Sequence, residues 1–108
     1  MLDFTYVDDA VDGILAAITA LAERSVENEI LNLARGEGHS LGELVELISG
    51  ELGISPSVTY KPSWPGEVTR YVADLSKARE LLGYDPKVSL KEGISLSVAW
   101  QRAAGWLA

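Results

Sequence analysis

Two Ser-Leu-x-Glu sequences constrain the fold more than any other feature, because each marks the start of a helix. They are Ser40-Leu41-Gly42-Glu43 and Ser89-Leu90-Lys91-Glu92. In this capping-box pattern, the serine hydroxyl and the glutamate carboxylate each bind a free backbone N–H of the first turn. Apolar residues at helical spacing follow both boxes. The sequence therefore predicts one helix that stops at Gly53 and a second, C-terminal helix.

Two further helices are indicated by apolar spacing and by capping residues. Asp9 follows a short aromatic and β-branched run and is expected to cap a helix of about 15 residues. Ser76 is expected to cap a short helix that stops at Gly83. The first of these helices carries one apolar stripe, formed by Val11, Ile14, Leu15, Ile18, Leu21 and Ala22.

Short strands are predicted between these helices. The predicted strands are Phe4–Val7, Ile30–Leu33 and Val58–Tyr60, and Arg70–Ala73 also has a strand-like sequence. Val58–Tyr60 reads as an edge strand, because prolines flank it and proline cannot donate to a sheet ladder. We expect residues 1–108 to form a single α/β domain of the α+β-like kind, a short mixed sheet flanked by about four helices.

Charge and composition exclude several classes of partner. Sixteen acidic and nine basic residues give a net charge of −7, and the Lys and Arg residues are scattered, so nucleic acid is not expected as a partner. The chain has no cysteine, which excludes disulfides and thiolate chemistry and fits a cytoplasmic location. The longest apolar run, 14–22, is too short to span a bilayer, so no membrane association is expected.

Each residue type that could support chemistry has a structural alternative. His39 is the only histidine, and we interpret it as a loop side chain rather than a metal ligand. Asp8 and Asp9 are better explained by helix capping than by catalysis. Trp100 and Trp106 fit packing in a core or an interface. Metal-binding and catalytic residues are accordingly not expected, whereas Trp64, which lies in a Pro/Gly loop, fits either ligand binding or a lid over the core.

Three segments together resemble a known family. They are Asp3-Phe4-Thr5-Tyr6-Val7-Asp8-Asp9, the run from Trp64 to Ala78 that begins Trp-Pro-Gly-Glu, and Leu82-Gly83-Tyr84-Asp85-Pro86. The order and the residues of these segments are similar to those of the C-terminal substrate-binding lobe of extended short-chain dehydrogenase/reductases. These are the NAD-dependent nucleotide-sugar epimerases and dehydratases of the UDP-glucose 4-epimerase kind. The resemblance covers nearly the whole chain.

The missing motifs of that family are equally informative. The chain has neither a glycine-rich dinucleotide fingerprint after a strand nor a Tyr-x-x-x-Lys sequence. The resemblance therefore implies a substrate-binding half without its Rossmann half. No cofactor is expected in this chain, although NAD is implied for the complete enzyme, and the chain alone is expected to be inactive.

The resemblance also implies which residues contact a nucleotide-sugar-like ligand. Leu2 and Trp64 stand where the family has arginines for the nucleotide and the diphosphate, so binding is expected to be weak or lost. Arg70 or Arg35 is expected to compensate. The predicted substrate-binding residues are Phe4, Trp64, Glu67, Arg70 and Tyr71.

Two functional classes remain open from the sequence. In the first, the chain is a fragment of an epimerase or dehydratase whose partner is the missing Rossmann lobe. In the second, it is a stand-alone binding or oligomerisation module, assembled as a homo-oligomer through the last helix with Trp100 and Trp106. An upstream coding region with a glycine-rich fingerprint would favour the first class.

Overall fold

Four helices dominate the computed structural model, which describes residues 1–67 and 69–107. Val68, part of the Trp64 to Ala78 run, and Ala108 lie outside the described residues. Helix α1 packs against α3, and α2 packs against α4. None of the helices in the described part is long and apolar enough to cross a membrane. The helices are α1 Val7–Ala22, α2 Leu41–Leu52, α3 Ser76–Leu82 and α4 Leu90–Ala103.

The predicted mixed sheet is wrong. Residues 1–67 and 69–107 contain no strand, and their only β-bridges are isolated ones from Leu2, antiparallel to His39 and parallel to Tyr71. Pairing is limited to two Leu2–His39 backbone hydrogen bonds of 2.8 Å and one of 2.7 Å from Tyr71 N to Met1 O. Aromatic and β-branched residues favour extended backbone, but a sheet also needs a neighbouring segment to continue each ladder. The regular secondary structure of the described chain is therefore all helical.

Both serine caps are confirmed. Ser40 Oγ accepts a hydrogen bond from Glu43 N at 3.1 Å, and Ser89 Oγ accepts one from Glu92 N at 3.2 Å. The Glu43 carboxylate does not complete a reciprocal capping box but lies 2.7 Å from His39 Nδ1. The serine half of the motif therefore starts each helix, as N-cap oxygens do in general.

The other two predicted caps are wrong. Tyr6 is the N-cap of α1, and Asp9 lies inside the helix at 4% exposure. Leu75 is the N-cap of α3, so Ser76 is its first helical residue. Ser76 donates from its hydroxyl and its backbone N–H to Asp74, and these bonds hold the pKa of the Asp74 carboxyl below its usual value. Asp9 thus binds backbone N–H groups far along the chain, and Ser76 binds the neighbouring Asp74, so neither residue caps a helix.

The core is small and lies beside α1 and α3. Its centre is Leu75, Ala78 and Tyr84. The Tyr84 hydroxyl donates to Ala34 O at 2.7 Å, and burial, followed by the nearby charges of Asp9 and Asp3, raises the pKa of Tyr84. The partly buried residues packed around this centre are Leu31, Leu33, Ala34, Ala73 and Leu82.

The molecule is flat. Its extents are 52 × 40 × 17 Å and its radius of gyration is 17.0 Å, whereas a compact domain of this length has a radius of about 13 Å. The accessible surface is 8002 Å², compared with roughly 5,800 Å² expected for a folded monomer of this mass. The chain therefore leaves much more surface uncovered than an isolated domain does.

Candidate functional site

The Asp3 carboxylate holds three separate parts of the chain together, namely its own amino-terminal segment, the turn at 35–36 and the run at 71–73. Its Oδ1 accepts a hydrogen bond from Arg35 N at 2.9 Å, and its Oδ2 accepts from Gly36 N at 2.9 Å and from Ala73 N at 3.1 Å. Backbone N–H groups bonded to a carboxylate form strong, charge-assisted contacts. Asp3 therefore fixes the amino-terminal segment, including Leu2 and Phe4, against the turn at 35–36 and the run at 71–73.

A tight turn places Trp64 and Glu67 together. Glu67 N donates to Trp64 O at 3.1 Å, and Glu67 Oε2 accepts from Trp64 N at 3.2 Å. Gly66 supplies the left-handed backbone of the turn with a φ of +80°. Trp64 is 80% exposed, which is inconsistent with a lid over the core.

A cavity of about 510 Å³, here named the loop cavity, lies between this turn, the start of α2 and the amino-terminal segment. Leu2 and Trp64 both line it, so the two positions where the resembled family carries arginines meet at one cavity. Glu67 lines it as well. The lining residues are Met1, Leu2, Ser40, Leu41, Lys61, Pro62, Ser63, Trp64, Glu67 and Thr69.

Lys61 is a site residue that sequence reasoning missed. It is the only Lys or Arg side chain among the ten residues that line the loop cavity. It also lines a neighbouring groove of about 320 Å³ between the start of α2 and residues 58–61. Its position three residues before Trp64 was the available signal, because the turn brings that part of the chain to the cavity.

The remaining predicted site residues are not among those that line the loop cavity. Phe4 lines a different cavity of about 300 Å³, together with residues of α2 and α4 such as Leu44 and Gly93. Tyr71 is 70% exposed, and Arg70 is also exposed. The structure therefore brings Trp64 and Glu67 together and leaves Phe4, Arg70 and Tyr71 outside the walls of the loop cavity.

Arg35, the other expected anion contact, is held by the fold. Its Nη1 donates to Pro86 O at 2.6 Å, and its Nη2 donates to Glu37 Oε1 at 3.1 Å. Its side chain is only 17% exposed. The nearby His39 lies between Glu37 and Glu43, and no group of three or more metal-ligating side chains occurs in residues 1–67 and 69–107. These charged residues support the local structure.

The family is decided by a sequence match that spans most of the chain. Residues 1–96 match the profile of the family described as GDP-mannose 4,6 dehydratase. The chain belongs to this family. The predicted relationship to NAD-dependent epimerases and dehydratases is thereby confirmed for this member of the GDP-mannose 4,6-dehydratase family.

Curated relatives of this GDP-mannose 4,6-dehydratase family member include two from Methanocaldococcus jannaschii. An uncharacterised protein is 41% identical over 98 residues, with 91% of this chain and 29% of the relative covered. A putative UDP-glucose 4-epimerase is 37% identical over 100 residues, with 93% and 30% covered. The chain thus spans about 30% of the length of these two relatives.

Solved structures show the same relationship. UDP-glucose 4-epimerase of Thermotoga maritima with UDP-glucose superposes with a TM-score of 0.82 at 36% identity, covering 94% of this chain and 31% of that one. UDP-glucuronic acid 4-epimerase of Bacillus cereus, in complex with UDP-glucuronic acid and NAD, gives 0.82 at 31% identity, with 94% and 32% covered. NAD is therefore a cofactor of related complete enzymes.

Proposed function

We propose that residues 1–108 form the C-terminal substrate-binding lobe of a nucleotide-sugar epimerase or dehydratase and are not catalytic alone. The loop cavity is the proposed site for the nucleotide diphosphate part of the ligand. The observation that carries this proposal is that Leu2 and Trp64 line one cavity together with Glu67. The two positions that correspond to the family's nucleotide and diphosphate arginines thus meet at one cavity.

The chemistry of the loop cavity suits a ring with hydroxyl groups better than a strongly bound diphosphate. Trp64 offers an exposed aromatic face for stacking on a base or sugar ring. Glu67 Oε2 already accepts from Trp64 N, which leaves Oε1 to accept a ligand hydroxyl. Lys61 supplies the cation for a phosphate oxygen. Since each charge-assisted bond contributes about 1.5–3 kcal/mol, replacing two arginines by Leu2 and Trp64 lowers affinity by roughly a hundredfold or more.

Phe4, Arg70 and Tyr71 remain predicted substrate contacts. They belong to a proposed larger site that extends from the loop cavity over the exposed run at 70–71 and along the amino-terminal segment. Asp3 supports this arrangement, because its carboxylate holds that segment against Ala73. Binding of a long ligand such as a nucleotide sugar would engage more than one of these surfaces.

The complete parent protein is proposed to act on a nucleotide sugar with NAD. The support is the similarity to epimerases solved with UDP-glucose or with UDP-glucuronic acid and NAD. About 70% of the length of those chains lies outside the region covered here, which is where a dinucleotide-binding fold and the catalytic groups would lie. The proposed reaction class is hydride abstraction from the sugar.

The test is to graft this chain in place of the matching region of the Thermotoga maritima epimerase and to titrate UDP-glucose calorimetrically. We expect the graft to bind more weakly than the host protein. Trp64→Arg should increase its affinity by about tenfold or more, as expected for one added charge-assisted bond. Lys61→Ala should decrease it.

Trp100→Arg is the matched control, because it makes the same change on α4 at a residue outside the loop cavity. It should leave UDP-glucose affinity unchanged. Equal affinities of the graft and its Trp64→Arg variant would contradict the assignment of the loop cavity to the diphosphate.

A homo-oligomeric binding module is the second proposed function. Trp100 and Trp106 are 59% and 70% exposed, and their rings lie 5.4 Å apart in an edge-to-face arrangement. An exposed aromatic pair of this kind is a typical interface anchor. Light scattering over a range of concentrations tests it: a dimer that is lost in Trp100→Glu supports the module, and a monomer throughout contradicts it.

A further inference from the structure

Helix α4 carries an exposed apolar stripe on the face opposite its buried residues. Leu90, Gly93 and Val98 are the buried residues of this helix. Leu96 and Trp100 are 42% and 59% exposed, and two alanines beside them are exposed as well. The spacing i, i+3, i+4, i+7 places these four residues on one face of a helix. The α4 stripe, as named here, consists of Leu96, Ala99, Trp100 and Ala103.

The turn after α4 holds Trp106 beside the α4 stripe. Trp106 N donates to Gln101 O at 3.0 Å. Gly105, with a φ of +78°, donates its N–H to Arg102 O at 3.1 Å. These two bonds form the Schellman motif, which closes a helix at its carboxyl end. The Trp106 ring thereby lies 5.4 Å from the Trp100 ring, edge to face. The exposed aromatic pair is therefore ordered before any partner binds, which lowers the entropic cost of association.

We propose that the α4 stripe is the surface through which two copies of this chain pair, with their α4 helices antiparallel about a two-fold axis. This inference rests on the second proposed function, the homo-oligomeric module, and specifies its interface. With the axis between Ala99 and Trp100, Leu96 of each copy faces Ala103 of the other, so that a large side chain meets a small one. The two Trp100 side chains meet beside the axis, and Trp106 borders them.

The charges of α4 favour a second copy of the same helix as the partner. Glu92 lies in the first turn and Arg102 in the last. An antiparallel pair places Arg102 of each copy on the same side as Glu92 of the other, so opposite charges border the apolar contact at both ends. Arg102 Nη2 donates to Glu51 O at 3.2 Å, which leaves the other N–H groups of the guanidinium for this contact.

Helix α1 also exposes large apolar side chains, but its charges disfavour self-association. Six such residues of α1 are 44–62% exposed. Asp8 and Asp12 are exposed beside them, and α1 contains no Lys or Arg. A symmetric pair of α1 helices would bring only acidic residues together, which is unfavourable at an interface. The second copy is therefore assigned to α4 and not to α1.

The area of the α4 stripe fits a weak, concentration-dependent dimer. Trp100 and Trp106 are 59% and 70% exposed. Since a fully covered aromatic side chain buries about 150–250 Å², the two tryptophans supply roughly 200–300 Å² on each copy. A standard interface buries about 800 Å² on each partner. Leu96 and the two alanines add to the tryptophans, and the total stays in the range of small, transient interfaces.

Disulfide formation between single cysteines tests this pairing, because the natural sequence contains no cysteine. The single variants are Ala99→Cys, Leu96→Cys and Ala103→Cys, and Ile18→Cys is the control at an exposed apolar position of α1. Each 108-residue variant is oxidised at high concentration with copper phenanthroline, and non-reducing electrophoresis measures the linked dimer over time. Leu96→Cys and Ala103→Cys are also oxidised together as an equal mixture.

We expect Ala99→Cys, next to the two-fold axis, to link at least about tenfold faster than Ile18→Cys, since pairing raises the effective concentration of the two thiols. Leu96→Cys alone and Ala103→Cys alone should link slowly. Antiparallel pairing separates the identical residues at each of these positions by about 10 Å along the helix axis, which exceeds the roughly 7 Å that a disulfide spans between Cα atoms. Their mixture should link fast.

Two further variants complete the test. Adding Trp100→Glu to Ala99→Cys should reduce its linking rate to that of Ile18→Cys, because the substitution places a charge in the apolar contact. The Thermotoga maritima graft that carries Ala99→Cys should link as fast as the chain, since the proposed pairing uses only α4.

Three results would overturn the proposal. The first is equal linking rates for Ala99→Cys and Ile18→Cys. The second is fast linking of Leu96→Cys with itself, which means that the helices pair in parallel. The third is linking of Ala99→Cys in the chain but not in the graft, which means that the host protein covers the α4 stripe.

These outcomes are separable from those of the two proposed functions. A dimer in light scattering that is lost in Trp100→Glu, without fast linking of Ala99→Cys, supports the module and contradicts antiparallel α4 pairing. A monomer in light scattering together with slow linking contradicts both. Binding of UDP-glucose is a separate result, because no residue of the α4 stripe lines the loop cavity.

Discussion

Asp9 shows how a residue's role is set by distant partners. The sequence predicts a helix cap, because Asp9 precedes an apolar helical stripe. In the structure its carboxylate accepts hydrogen bonds from Lys87 N at 2.9 Å and Val88 N at 3.0 Å, residues 78 and 79 positions away. Local rules describe only neighbours along the chain, so neither this role nor that of Asp3 could be read from the sequence.

Replacing Asp9 should therefore destabilise the fold. Asp9→Ala leaves two backbone N–H groups without their charged partner, and we expect the free energy of unfolding to fall by about 2–4 kcal/mol. Asp12→Ala, at an exposed position of the same helix, should change it by less than about 0.5 kcal/mol. Urea denaturation followed by circular dichroism measures both. Equal effects of the two variants would refute the structural role of Asp9.

Because of Tyr84, the free energy of unfolding should depend on pH in the alkaline range. Burial and the charges of Asp9 and Asp3 raise the pKa of Tyr84 above the ordinary value of 10.0. Its stabilising contribution is fully present below pH 10, where the phenol is neutral in both states. It is lost as the pH rises from that value through the folded-state pKa, because the unfolded chain releases the proton first.

The loss should appear as a decrease in unfolding free energy above pH 10. Tyr84→Phe should flatten that decrease while lowering stability at neutral pH by about 1 kcal/mol, since the hydrogen bond to Ala34 O is removed. Tyr60→Phe is the control, because Tyr60 is 88% exposed. The same pH profile in both variants would count against Tyr84 as the source.

The helices could be predicted from the sequence, whereas the lack of a sheet in the described residues could not. Ser40 and Ser89 act on N–H groups within their own first turns, so the relevant chemistry is local. Gly53 and Gly83 end α2 and α3, as predicted, and the structure shows both in left-handed conformation. A strand instead depends on which segments lie beside it. Only the three-dimensional arrangement shows that Leu2 pairs with single residues of two segments.

The glycines of the helices differ in a way that predicts opposite effects of alanine. Gly50 in α2 has no atom within 4 Å of an added Cβ, so Gly50→Ala should stabilise the chain by about 1 kcal/mol through helix propensity. At Gly13 in α1 an added Cβ meets Leu33 at 2.8 Å and Tyr84 at 3.0 Å. Overpacking should make Gly13→Ala less stable than the natural chain by about 1 kcal/mol or more. Thermal denaturation of both variants checks this, and equal stabilisation would contradict the packing at Gly13.

At the scale of the whole molecule, the distribution of apolar surface matters more than its amount. A hydrophobic content of 47% is ordinary for a closed domain, so composition could not indicate that α1 directs its large side chains outward. The geometry of the candidate site could likewise be anticipated only where its residues are close in sequence. Trp64 and Glu67 are close in sequence and meet in one turn, whereas the position of Phe4 depends on how the segment at 1–6 crosses the molecule.

The isolated chain should not bind NAD. It has no glycine-rich turn after a strand, and the described residues contain no parallel sheet to support one. Calorimetry with NAD should give no heat of binding for the chain, whereas the Thermotoga maritima graft should bind the dinucleotide. Micromolar binding by the chain alone would refute this.

The thickness of 17 Å limits how strongly the backbone amides are protected from hydrogen exchange with solvent. A helix with its side chains is about 10–12 Å across, so no part of the molecule lies beneath more than one further layer. Slow amide hydrogen exchange should then be confined to the residues around Leu75, Ala78 and Tyr84, while α1 exchanges through frequent local opening. Association of a partner with α1 would give this helix the protected lifetimes of an interior element.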